Sequence, residues 1–193
     1  MLLMNMKEYS IDTFDIAQWN VIRSILKLKP SELEYQITPN LNPPIWVIGH
    51  LTWHMDAIFN QLCQGRSALD TKSRKGFAFN SPKINLEDYP LSKMKMIDNF
   101  LSISKSSFEY LRFLPEEKYD KMPEYNADGN TETVRELLQR ISLHFLGHTG
   151  QIYLVRKELG KGGYFVIGVK KKQRDDSRKK WHKWWDENRE NYE

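Results

Sequence analysis

The chain has 193 residues, one cysteine and a net charge of +4, a size that fits one domain able to bury a core without a disulfide or a structural metal. Cys63 has no partner for an internal disulfide, no run of eighteen apolar residues is present to span a membrane, and the apolar start at residues 1–4 is too short for a span or a signal peptide. Residues 170–193 carry nine Lys/Arg against six Asp/Glu and so hold +3 of the total, which leaves the body nearly neutral, with no membrane partner expected and no ground for a nucleic-acid partner; a cytoplasmic protein is the expectation.

Four segments repeat their apolar residues at helical spacing and none alternates as a half-buried strand does, so the fold class expected is all-α. The first helix is expected over about Asp12 to Leu28, with Phe14, Ala17, Val21, Ile25 and Leu28 on one stripe and Pro30 stopping it. The second opens at Asn42 as N-cap, has prolines at its first positions, and runs to about Gln64 before Gly65. Its apolar residues leave little of the circumference polar, so it needs cover on its outer side from the following loop, from the tryptophan-rich tail or from a second subunit in a homodimer.

The segment over residues 65–90 is far longer than the roughly 2–8 residues of a bundle hairpin. Helices two and three are therefore expected to run parallel, joined by a crossover. The third helix is expected from about Ser92 to Arg112. The fourth starts near Thr131, where Thr133 and Glu136 match a capping box, carries Val134, Leu137, Leu138, Ile141, Phe145, Ile152 and Val155 inward, and ends at Gly160. A shorter last helix, about Asp175 to Asn188, bears Trp181, Trp184 and Trp185.

Four of the five histidines form two pairs of helical spacing, His50 with His54 and His144 with His148. Residues four apart share a helix face with Cβ atoms roughly 5–6 Å apart, a gap one divalent ion spans. His144 and His148 continue the inward stripe of the fourth helix, and either His50 or His54 is able to face them from the second. A lone histidine on an apolar face is usually a hydrogen-bonded core residue; two pairs of one spacing shift the balance toward a metal. Three imidazoles from two helices leave the fourth position of a zinc-like site open, as catalytic sites do.

Gly147 and Gly150 lie inside the fourth helix at a cost of roughly 1 kcal/mol each relative to alanine, which points to close packing or to room for a ligand. Phe145 stands where the HExxH zinc peptidases need their glutamate, so peptidase chemistry is set aside. No glutamate precedes a histidine by three, which sets aside a ferritin-like di-iron bundle. What remains is a mononuclear, all-imidazole site, for which zinc or nickel is favoured by ligand type.

The segments Trp46-Val-Ile-Gly-His50-Leu and His144-Phe-Leu-Gly-His148-Thr-Gly-Gln-Ile resemble the helix-two and helix-four motifs of the DinB/YfiT-like superfamily of metal-dependent enzymes. The resemblance covers about residues 10–160 and implies a four-helix bundle in up-down-down-up order with a long crossover between helices two and three. It implies His50, His144 and His148 as metal ligands. His54 falls outside the family pattern and is a candidate for supporting or gating the site. The activities it implies are those of thiol-dependent S-transferases that use bacillithiol, mycothiol or glutathione, and of related isomerases and hydrolases, acting on a small electrophile.

The chain then divides into a bundle over residues 1–160 and a basic, Trp-rich extension over 161–193 that packs on the bundle or on a partner. The tail interleaves basic and aromatic residues as single-strand nucleic-acid binders do, but 181, 184, 185 and 188 fit one side of a helix, and docking on the body is the stronger expectation. The leading functional expectation is a metal-dependent thiol transferase; the alternatives are a non-catalytic stress-response binding module and a nucleic-acid binder acting through the tail.

Overall fold

Asn5 starts the first helix: its side chain accepts the Glu8 N–H at 2.8 Å while the Glu8 carboxylate accepts the Asn5 N–H at 3.3 Å, a reciprocal capping box. In the computed structural model, which describes residues 5–78, 81, 85–126 and 129–193, helix α1 therefore spans Met6–Ile25 and begins six residues before the start expected at Asp12. The apolar start at residues 1–4 lies outside the described residues. After α1 come α2 (Pro30–Leu33), α3 (Pro44–Met55), α4 (Thr71–Lys75), α5 (Lys93–Phe113), α6 (Glu116–Tyr119), α7 (Val134–Glu158) and α8 (Lys171–Asn188). No strand occurs among the described residues, so the all-α class holds, and no helix there is long and apolar enough to cross a membrane.

The expected helix ends hold at Thr133, Ser92 and Gly160 and shift at the starts of α1, α3 and α8. Thr133 and Glu136 form the capping box that opens α7, and Ser92 accepts from Lys95 N–H to open α5. Gly160, with φ of 67°, takes the left-handed conformation that ends α7. Asn42 does not cap α3. The capping residue is Pro43, and Pro44 fills the first helical position, where its missing N–H costs nothing. Helix α8 begins at Lys171, four residues earlier than expected, because its first turn is polar and carries no periodic signal.

Past Met55 the helix continues in π geometry over Asp56–Leu62. Asp56, fully buried, accepts from Asn60 Nδ2 at 2.8 Å, from Ala68 N–H at 2.7 Å and from the Ser67 hydroxyl. One carboxylate thus ties the start of the long connection back onto the helix that it leaves, at the point where the helix widens.

Helices α1, α5 and α7 and the π segment that continues α3 each send a phenylalanine to one cluster. Phe14 of α1 lies 5.6 Å from Phe59 of the π segment, 5.0 Å from Phe108 of α5 and 5.4 Å from Phe145 of α7, centroid to centroid. All four rings are buried, and burial of that size, roughly 1.5–3 kcal/mol per side chain, dominates the cohesion of the helices. Helix α1 packs along α7, and α3 contacts both α5 and α7.

The outer side of α3 is covered from within the chain. Phe77 of the connection is buried against Gly49 and lies 6.5 Å from the Trp46 ring. The tail docks elsewhere, on α1 and α5: Trp181 and Trp185 are buried, Trp185 Nε1–H donates to Asp98 at 2.9 Å, and the Tyr192 hydroxyl donates to the Leu28 carbonyl at 2.6 Å. Arg174, 2 % exposed, meets Asp15 at 2.8 Å and also pairs with Asp12, while Arg178 reaches the other Asp15 oxygen at 3.0 Å. Asn20, fully buried, exchanges two 3.0 Å hydrogen bonds with the backbone of Val166 and so pins the chain between α7 and α8.

Candidate metal centre

His50 sits in the second turn of α3, and His144 and His148 face it from the middle of α7. One ring nitrogen from each lies within 4.8 Å of the others, the only such group of three among the described residues. His50 is buried and the other two are half-buried. The stripe that α7 sends to the core is Ile141, Phe145, Thr149 and Ile152; His144 and His148 stand beside that stripe, not on it, because 3.6 residues per turn rotates each of them roughly 100° from its buried neighbour. The site therefore lies at the edge of the core between α3 and α7 and not on the core stripe itself.

Hydrogen bonds decide which nitrogen each ring presents. His50 Nδ1 lies 2.7 Å from the Phe77 carbonyl oxygen, which only accepts, so Nδ1 carries the proton and Nε2 presents its lone pair. His148 Nδ1 likewise donates to Gln151 Oε1 at 3.0 Å and frees its Nε2. His50 Nε2 and His144 Nε2 lie 3.1 Å apart. Two nitrogens about 2.0–2.1 Å from one tetrahedral ion stand about 3.4 Å apart, so the spacing fits a shared ion with a small adjustment. An imidazole whose far nitrogen is held by a carbonyl or amide oxygen is the usual form of a metal-ligating histidine.

Gly49 explains how the Phe77 carbonyl reaches His50. A Cβ there would stand 2.5 Å from the Phe77 ring, closer than any side chain is tolerated. Trp46, one turn before His50, stacks on its ring at 4.7 Å with 14° between the planes, and Trp53 lies nearly parallel at 6.2 Å. The buried ring thus has one rotamer available.

Burial favours the neutral form of every imidazole here. It lowers His50 to about 4 despite the Phe77 bond, lowers His144 to about 4 with help from the neighbouring His148, His50 and Arg140, and lowers His148 and His54 as well. At pH 7 the group offers lone pairs, not charges. Arg140, one turn before His144, is paired with Glu132 at 2.8 Å. Cys63 contributes nothing: it is buried near the far end of the helix, where burial pushes its thiol up to about 11.

Close helix approach, one of the two expectations attached to the glycines of α7, is corrected. The helix runs unbroken through both, yet a Cβ at Gly147 would meet nothing within 4 Å and one at Gly150 would make only an ordinary 3.5 Å contact with Phe165. Neither marks a close helix approach, and nothing in the structure explains Gly147. Reading the sequence also missed Phe77 and Gln151. Gln151 was recoverable, since it stands three after His148 on one helix face; Phe77 carried no signal, because only the fold brings the connection over α3. No protein-family model, curated protein or solved structure matches this chain.

Proposed function

We propose that the chain is a mononuclear metal-dependent enzyme of the DinB/YfiT-like type, with His50, His144 and His148 as ligands and a small electrophile as substrate of a low-molecular-weight thiol. The observation that carries this reading is the convergence of one ring nitrogen from each of the three histidines within 4.8 Å, with His50 Nδ1 bonded to the Phe77 carbonyl so that its Nε2 lone pair is free. A divalent ion in such a site, zinc or nickel by ligand type, would lower the pKa of a bound thiol or water and supply a nucleophile at neutral pH. His50, His144 and His148 would hold that ion, with Trp46 stacked on one face of the His50 ring. Since Cys63 is buried and its thiol stays protonated, the reacting thiol comes from solution.

Up-down-down-up order is part of the proposal and is supported by which helix ends meet. Phe14 and Phe145 meet near the middle of α1 and α7, and Arg156 of α7 donates to the Ser24 and Leu26 carbonyls where both helices end, as in parallel α1 and α7. Lys7 at the start of α1 bonds the Leu114 carbonyl just past α5, as in an antiparallel pair. Met55 accepts from Ser104 midway along α5, and Phe59 meets Phe14, which supports α3 running antiparallel to α1.

A binding module that holds its metal without turnover is the second reading, since the three-histidine group supplies metal ligands whether or not turnover follows. Mass spectrometry of protein purified without chelator or His-tag is expected to find close to one zinc or nickel per chain, lost in His148→Ala. Incubation of the loaded protein with a thiol panel and a chromogenic electrophile then separates turnover from saturable binding.

A further inference from the structure

His54 is a fourth imidazole at this site. It follows His50 by one turn on α3, its ring centroid lies 4.2 Å from that of His144 and 4.6 Å from that of His50, and Trp53 packs edge-on against it at 4.8 Å. Yet it is not in the group of three whose nitrogens converge. Its Nε2 is shut off from solvent and has no hydrogen-bond partner. A buried ring nitrogen without a partner costs on the order of 1–3 kcal/mol, and native structures rarely tolerate one unless a small molecule or an ion's ligand completes the bond.

We propose that His54 Nε2 is the hydrogen-bond partner of the small ligand, a solvent molecule or the thiol sulfur, that fills the open position of the three-histidine metal site. His54 is then a positioning residue and not a fourth metal ligand. The proposal rests on the metal reading above and adds to it the group that orients what enters. It accounts for three facts together: the nitrogen is buried, it has no partner within the chain, and it lies beside the ligand cluster without joining it. A histidine kept only for packing would more economically bond its nitrogen to a carbonyl, as His50 does with Phe77.

Cobalt substituted for zinc makes the test visible. Wild-type protein, His54→Phe and His54→Gln are loaded with Co(II), their visible spectra are compared, the coordinating nitrogens are counted by X-ray absorption, and zinc affinity is measured against a chelating dye. The expected result is three imidazole nitrogens in all three proteins, an altered cobalt spectrum and about tenfold weaker zinc binding in His54→Phe, and recovery of spectrum and affinity in His54→Gln, which restores a hydrogen-bonding group. Loss of one nitrogen in His54→Phe would overturn the proposal by making His54 a ligand. An unchanged spectrum and affinity would overturn it by leaving His54 a packing residue, as would equal losses in both variants. Failure of the wild type to bind Co(II) or Zn(II) is a separate result that sinks the metal reading itself.

Discussion

A neutral imidazole facing others across a few ångströms is a state that burial sustains and acid removes. His50 and His144 bind a proton at about 4 in the folded protein, below the ordinary 6.5 they have when unfolded. Between those values the unfolded chain binds more protons, so the stability of the metal-free protein rises with pH and is lost as pH falls from about 6.5 toward about 4. Urea titrations at a series of pH values check this, and His50→Gln should flatten the dependence. The same shift keeps protons from competing for the ligand nitrogens, so zinc affinity should stay nearly level between pH 7 and pH 6, where an exposed three-histidine site would lose it steeply. At Gly49 the constraint is steric. Gly49→Ala drives a methyl into the Phe77 ring, which should cost about 1–3 kcal/mol of stability and weaken metal binding by freeing the His50 tautomer, read by chelator competition. The four histidines were legible as spacing; that Phe77 orients one of them was not, since the two are far apart in the chain and neither predicts the other.

At the scale of the helices, the Asn5–Glu8 box that opens α1 well ahead of the Phe14 stripe was missed, but ends whose side-chain cap adjoins an apolar stripe were legible, as Thr133 and Glu136 show for α7. Those held by distant partners were not. The polar first turn of α8 has no apolar stripe, and Arg174 ties it to Asp12 and Asp15 on α1. Arg174→Ala should therefore destabilise the protein by about 3 kcal/mol, the lower end for a broken buried pair, because Arg178 still neutralises Asp15. A shift in urea midpoint with the zinc affinity unchanged is the expected signature. The docked face of α8 also bears on partners: Trp181 and Trp185 are buried, so the tail does not offer them as a platform for stacking bases.

For the whole molecule, the core and the candidate site are separable. The phenylalanine cluster that joins the four long helical segments involves none of the histidines, so removing metal with a chelator should leave the helical circular dichroism signal intact, unlike a domain folded by its zinc. Zinc at a hundred times its dissociation constant should then add about 2.7 kcal/mol to unfolding stability, seen as a rise in melting temperature that His148→Ala abolishes. Residue periodicity and composition by themselves determined the all-α class, the places of the long helices and the two histidine pairs, because helical spacing is a local property written along the chain. Only the tertiary structure decided that the connection over α3 supplies the carbonyl fixing the His50 tautomer, and that the histidine group sits at the edge of the core. Those outcomes depend on how far each helix is rotated and on what the connection passes over, which packing across distant segments determines and no local pattern records.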